Sequence, residues 1–140
     1  MKKILILIFL FIILCNFSII NPRIVRIYDG DTIYIDIPNY PKVFGTNIGV
    51  RIKGIDAPEI RTTNTKEKSL GYKARDSLSN FMTINNPKII ITNIERDKYF
   101  RLLADIYVNG TNVKDYLLNN KLVLPYDGGK KTNDWNEWEE

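Results

Sequence analysis

Three runs near the start of the chain are strand-like, and in the second and third apolar and polar positions alternate with a period of two, the spacing that turns successive side chains to opposite faces of a strand. They are "RIVRIY" (23–28), "TIYIDI" (32–37) and "IGVRIKGID" (48–56), the last placing Arg51 and Lys53 on one face. "DGD" (29–31) joins the first two, and "NYPKVFGTN" (39–47), with its Pro, Gly and Asn, reads as a loop before the third. Three strands with short connections predict a meander. The period then changes. Leu70, Ala74, Leu78 and Phe81 or Met82 recur at helical spacing, which predicts an amphipathic helix over 69–83. Extended structure restarts after Pro87 in "NNPKIIITNIE", and "RLLADIYVNG" is a further strand ending in an Asn-Gly turn. "NVKDYLLNN" is a short helix with Thr111 or Asn112 as its N-cap, and "KLVLPYDGGKK" dissolves from an apolar run into a basic, Gly-rich loop. The order is βββαββα, with no internal repeat and no low-complexity linker. Five strands with a helix between the third and fourth is the order of an oligonucleotide/oligosaccharide-binding (OB) barrel, an α+β fold that is mainly β.

The first twenty residues obey neither period. Two lysines precede an apolar run from Ile4 to Cys15, the n-region and h-region of an export signal. That run is shorter than the roughly 20 residues of a membrane span, yet no Ala-x-Ala-like cleavage site follows it. The expectation is residues 1–20 as signal peptide or N-terminal anchor, residues 4–20 meeting the membrane if uncleaved. A domain of residues 21–140 then lies on the non-cytoplasmic side or is secreted. The residues "IIL" before Cys15 lack the small side chains of a lipoprotein site.

Composition narrows the chemistry. With 140 residues, 44% of them hydrophobic, the chain supports one core. It has no histidine, which removes histidine acid–base pairs, Ser-His-Asp triads and histidine-ligated zinc. Its one cysteine lies in the N-terminal run, so the domain has no disulfide or thiolate metal site. A bound metal is then a hard cation held by oxygen, Ca²⁺ or Mg²⁺. The formal charge is +4, and without Lys2 and Lys3 the excess is two, mild support for a polyanionic partner.

"VRIYDGDTIYID" (25–36) sets Asp29 and Asp31 around a glycine, and alone it is best read as a hairpin turn. Three other stretches change that reading: "VRIKGIDAPE" (50–59), "RDKYFR" (96–101) and "LPYDGGKK" (124–131). Together the four resemble the staphylococcal-type, or thermonuclease, family of Ca²⁺-dependent nucleases, in that family's order, from about Val25 to Tyr126. The resemblance implies Asp31 and Asp56 as metal ligands, with the carbonyl of Ala57 as a third oxygen. It implies Arg51 and Arg101 as the arginines that grip phosphate and Glu59 as general base. Lys98 and Tyr99 lie near the bound nucleotide, and Tyr126 contacts its base end. Asp29 remains a turn-maker or an outer helper. The implied activity is low-specificity, Ca²⁺-dependent hydrolysis of single-stranded or frayed DNA and RNA by a monomer, leaving 3′-phosphate ends.

Phosphodiester chemistry calls for the same residue types. A cation between two carboxylates neutralises growing charge, planar guanidinium forks match phosphate oxygens, and a carboxylate three residues beyond Asp56 can activate water. Losing either arginine or Glu59 is expected to cost several kcal/mol of transition-state stabilisation and far less folding stability. Bland roles exist for each. Arg51 is a surface strand residue, Asp56 a loop cap, Arg101 a partner of Asp97 or Glu95, and Lys130 and Lys131 are solvated surface with possible substrate-facing charge. Two rival functions stand beside the nuclease. A non-catalytic OB module would bind nucleic acid without needing all five charged residues, and a carboxylate-pair glycosidase leaves the arginines unexplained.

Three departures from the family pattern bear on the site. Phe100 stands where Gly is common, the connection around "NYPKVFGT" is long enough to reach the cleft, and Ala57 replaces a common Thr. After "NDWNEWEE" there is room only for a truncated last helix, with Trp135 and Trp138 packed as one turn.

Overall fold

The computed structural model describes residues 17–129, 131, 135, 137 and 138. The export or anchor stretch up to residue 16 lies outside the described residues. Among those described, no helix is long and apolar enough to cross a membrane.

The predicted meander is β2 (Arg23–Ile27), β3 (Thr32–Asp36) and β4 (Ile48–Ile52), followed by β6 (Ile89–Arg96) and β7 (Leu102–Val108). Short strands β1 (Ile19–Ile20), β5 (Ile55–Asp56), β8 (Thr111–Asn112) and β9 (Leu124–Pro125) complete the set. The main sheet runs β1-β6-β7-β4-β3-β2, with β8 on β7, and β5 pairs separately with β9. All pairings are antiparallel except β4 on β7, where Arg51 lies opposite Leu103. This is an OB-like fold, a curled mixed sheet forming a half-barrel.

Alternation decides what the sheet buries. Ile33 and Ile35 of β3, Val50 and Ile52 of β4 and Ala104 and Ile106 of β7 are fully or almost fully buried, while Thr32 and Tyr34 of β3 point to the other face. Each large side chain so buried contributes about 1.5–3 kcal/mol relative to exposure. Ile19 is buried with them and Ile20 pairs with Ile90, so the sheet takes up the last two residues of the apolar N-terminal stretch.

The two expected helices are α2 (Thr65–Thr83) and α3 (Val113–Asn119), and a four-residue α1 (Lys42–Gly45) lies between β3 and β4. Helix α2 begins four residues earlier than its apolar stripe predicts. The Asn64 side chain accepts the Glu67 N–H at 3.1 Å, so a polar first turn forms on its cap alone. Its buried stripe is Gly71, Ala74, Leu78 and Met82, while Phe81 stacks on Tyr116 of α3 with ring centroids 3.9 Å apart. Helix α3 is capped by Asn112, whose side chain accepts the Lys114 N–H at 2.8 Å.

Two loops differ from expectation. The run 48–56 is broken at Lys53–Gly54, where Gly54 takes φ +78°, and Asp56 therefore leaves the main sheet for the β5–β9 pair. The 39–47 connection hangs from the β3–β4 hairpin at its Ile35–Ile48 end, whereas Thr32 and Arg51 pair at the other. It therefore lies away from the site residues, where Tyr40 packs edge-on against Phe17. Trp135 is buried with Trp138 edge-on to it at 6.0 Å, and the truncated helix expected around them falls largely outside the described residues.

Candidate active site

Asp29 and Asp31 close the β2–β3 hairpin. Tyr28 N–H bonds Thr32 O at 2.9 Å, and the Asp29 carboxylate accepts the Asp31 N–H at 3.0 Å, so Asp29 is the turn-maker. Gly30 between them is not left-handed. It is required by space: a Cβ there would lie 2.7 Å from Cβ of Ala74 and 2.9 Å from Cβ of Ala57. Gly71, one turn before Ala74, meets the Pro58 carbonyl just as closely, 2.8 Å from a Cβ in its place. Small residues thus let α2, the hairpin turn and the 56–59 segment approach one another, and that approach brings Asp31, Asp56 and Glu59 together.

Asp31 is held from four sides. Its Oδ2 accepts the Ala57 N–H at 2.9 Å, its Oδ1 accepts the Thr32 hydroxyl at 2.9 Å and pairs with Arg51 Nη1, and Asp29 fixes its own N–H. Arg51 Nη2 reaches the Ile55 carbonyl at 3.2 Å and Asp56 Oδ1 at 3.5 Å. Asp31 and Asp56 are buried, and the Arg51 side chain is only 12% exposed. Burial alone would lower the Arg51 pKa, but the charges of Asp31 and Asp56 outweigh it and raise it. Asp29 shifts the opposite way for a carboxyl's charge: burial first, then the adjacent Asp31 charge, push its pKa up to about 7.

Glu59 is exposed, and its N–H bonds Glu67 of α2 at 3.2 Å. Lys131 Nζ bridges Glu59 Oε1 at 3.1 Å and Asp56 Oδ1 at 2.7 Å. Burial works against the Lys131 charge, yet these two carboxylates hold its pKa above the ordinary lysine value. Lys131 is therefore part of the site and not plain surface; no spacing rule links it to Asp56, since the pairing depends on the chain returning through β9.

Arg101 comes from the β6–β7 turn. Asp97 accepts its backbone N–H at 3.0 Å and its Nε–H at 2.8 Å, and Arg101 Nη1 lies 3.5 Å from Thr32 Oγ1. The bland reading of Arg101 as a partner of Asp97 is thus correct as geometry and also aims the guanidinium towards Asp31's neighbour. Phe100 takes φ +64°, so the turn common with glycine is kept by a residue that pays for it in strain. With Phe100 in that conformation the turn holds Arg101 on Asp97 and within 3.5 Å of Thr32 Oγ1. Lys98 and Arg101 both lie over the Tyr99 ring, at 5.2 and 5.4 Å. Tyr126 sits beside β5, but its hydroxyl donates to Gly129 O at 2.6 Å, turned to its own loop.

The structure thus joins Asp31, Arg51, Asp56, Ala57, Glu59 and Arg101 and sets Lys98 and Tyr99 at the rim. Thr32, Asp97 and Lys131 lie inside the quoted stretches but carry no assigned site role from sequence alone, and Ala74 lies outside those stretches altogether. No three His, Cys, Asp or Glu side chains among the described residues form a ready metal cage. The donor set nonetheless suits a hard cation, because two buried carboxylates already converge on one guanidinium and an ammonium already sits between Asp56 and Glu59.

An OB-like half-barrel thus brings paired carboxylates, two arginines and a third carboxylate together where the main sheet meets the β5 segment. Residues 49–136 match the family model described as staphylococcal nuclease homologue. Over 109 residues, 76% of this chain and 48% of the relative, the sequence is 35% identical to endonuclease YncB of Bacillus subtilis. It is 28% identical to an uncharacterized endonuclease of Escherichia coli, covering 77% of this chain and 62% of that one, and 29% identical to the thermonuclease of Staphylococcus hyicus, covering 61% and 47%. The chain spans about half to three-fifths of the length of these relatives. It belongs to the staphylococcal nuclease family.

Proposed function

We propose that the protein is a Ca²⁺-dependent nuclease that hydrolyses phosphodiester bonds of DNA and RNA with little sequence preference. The observation that carries this reading is the convergence of Asp31 and Asp56 on Arg51, with Glu59 sharing a cation with Asp56 and Arg101 reaching Thr32. Asp31, Asp56 and the Ala57 carbonyl would hold the Ca²⁺, which supplies Lewis-acid neutralisation of the phosphate. Arg51 and Arg101 offer fork-shaped donors to phosphate oxygens, where lysine would offer only a point charge. Glu59 takes the proton of the attacking water at its carboxylate. Cleavage of the bond to the 5′ oxygen leaves the phosphate on the 3′ side. Tyr99 and Tyr126 offer rings to bases without reading them, which suits single-stranded substrate. Names of the relatives as endonucleases and thermonucleases support hydrolysis. The N-terminal apolar run supports an exported or tethered protein, with the domain outside the cytoplasm.

The test is digestion of single-stranded DNA by the purified full chain with Ca²⁺ or with chelator, beside Glu59→Gln. Ca²⁺-dependent cleavage that Glu59→Gln loses by about 10²-fold or more is expected. Folded protein that binds the strand and leaves it intact would instead identify a non-catalytic OB module.

A further inference from the structure

The outer face of the sheet continues the site in a direction that the catalytic constellation does not use. Arg101 and Tyr34 lie side by side over Gly49, where an added Cβ would be 3.2 Å from Arg101 Cγ and 3.5 Å from Tyr34 Cε1. On the next strand Arg26, directly opposite Tyr34, lays its guanidinium over the Tyr34 ring at 4.0 Å. Tyr28 meets Tyr34 edge-on at 6.1 Å, and Arg61 lies over Tyr28 at 5.3 Å. Tyr and Arg thus alternate from Tyr99 and Arg101 across β4, β3 and β2 to Arg61. From β7 to β2 this crosses three inter-strand spacings, about 14 Å. Arg26, Tyr28 and Arg61 are exposed, and among the described residues neither Arg26 nor Arg61 is paired with a carboxylate. Elsewhere on the domain the exposed Arg23 and the half-buried Arg75 are so paired, whereas among those residues the exposed Arg96 at the end of β6 is not.

We infer that Tyr34, Arg26, Tyr28 and Arg61 form a strand-binding track that holds single-stranded nucleic acid beyond the cleaved phosphate, an inference that rests on the nuclease reading. The chemistry fits that one polymer. Phosphates recur along it to meet the unpaired guanidinium groups, and every base has a face to stack on a tyrosine or on the guanidinium plane already laid on Tyr34. Duplex DNA, with its bases stacked inward, offers no such faces. A track of this kind lengthens the footprint without adding sequence preference, because it reads charge and stacking alone.

The test is fluorescence anisotropy with the full chain in chelator, using labelled oligothymidylates of about 4 and about 12 nucleotides, lengths at the lower end of and well within the range of OB-fold footprints. The longer strand is expected to bind at least about tenfold tighter. Tyr34→Leu and Tyr28→Leu should each remove about tenfold of that advantage, the scale of one lost stacking contact. Arg26→Gln and Arg61→Gln should each lower the salt slope of binding by about 0.7. Tyr28 and Arg61 are exposed, so their variants keep the test open if Tyr34→Leu fails to fold. A wild type with no length advantage, or folded variants that keep both the advantage and the salt slope, would overturn the track. Restoring Ca²⁺ separates the two readings: length-dependent binding with neither strand cut sinks the nuclease and leaves the track standing.

Discussion

Arg51 and Arg101 serve one site and are held by opposite means. Arg51 rises from a central strand into a buried nest of carboxylates, Asp31 and Asp56, and is itself nearly buried. Arg101 projects from a turn, 27% exposed, gripped by Asp97 of that same turn. The carboxylates around them titrate in opposite senses. Asp29 beside the Arg51 nest is pushed up to about 7 by burial and by Asp31, whereas the hydrogen bonds from Arg101 and Tyr99 outweigh burial at Asp97 and lower its pKa. One arginine is tied to the core, the other to a local loop, and their loss should be felt differently.

The sharpest way to expose that difference is Arg51→Met. Activity should fall by 10³-fold or more, and without Ca²⁺ the fold should also lose about 3–5 kcal/mol, because two buried carboxylates lose their guanidinium. This revises the expectation, drawn from motifs alone, that either arginine can go with little cost to folding. Denaturant unfolding with chelator measures it, and added Ca²⁺ should return part of the stability. An unchanged midpoint would show that Arg51 is not the counter-ion of the nest.

Arg101→Gln should lose about 10²–10³-fold of activity while folding stays within about 1 kcal/mol of wild type, the range of an exposed ion pair. If its unfolding midpoint drops as far as that of Arg51→Met, the contrast between core and loop is wrong.

A smaller effect separates the two regions by backbone. Phe100 is 81% exposed and left-handed, so Phe100→Gly removes strain without removing packing. The gain in loop conformation, less the added freedom of the unfolded chain, should be about 0.5–1 kcal/mol. A loss of stability in a thermal melt would mean that the Phe100 ring contributes more than its exposure allows.

The smallest effect is one of slope. Asp29 holds its proton more tightly folded than unfolded, so its contribution to stability is greatest below the ordinary Asp value of 3.8 and is lost as pH rises towards about 7. Asp29→Asn keeps an oxygen for the Asp31 N–H and removes the titration. Melting temperatures between those pH values, in chelator, should fall less steeply with pH in Asp29→Asn than in wild type. Parallel slopes would show that Asp29 ionises normally.

Local rules explain why the five longer strands, both principal helices and a cap at Thr111 or Asn112 are legible in the chain, while the two-residue strands β1, β8 and β9 are not. Period-two and period-3.6 patterns report which face an element buries, and the spacing of Asp31, Arg51, Asp56, Glu59 and Arg101 reports a family's chemistry. The start of α2 was misjudged because its first turn is stabilised by the Asn64 cap and carries no apolar position. The break at Gly54 is marked in the chain, because apolar positions fall at Ile48, Val50 and Ile52 and then at Ile55, a slip of phase at the glycine; reading 48–56 as one strand passes over that slip, where the chain changes sheets.

What the sequence by itself determined is the identity of the charged groups and the elements that carry them: oxygen ligands only, no histidine, arginines on a strand and on a turn. What only the tertiary structure decided is how these groups share charge. Asp31 meets Ala57 across 26 positions, Arg101 reaches Thr32 across 69, and Lys131 reaches Glu59 across 72. The second depends on β7 pairing with β4 and the third on the chain returning through β9, while the first depends on how closely the turn at Gly30, the 56–59 segment and α2 can approach. That distance is set by the absence of a methyl group at positions 30 and 71, and no pattern of polarity along the chain records it.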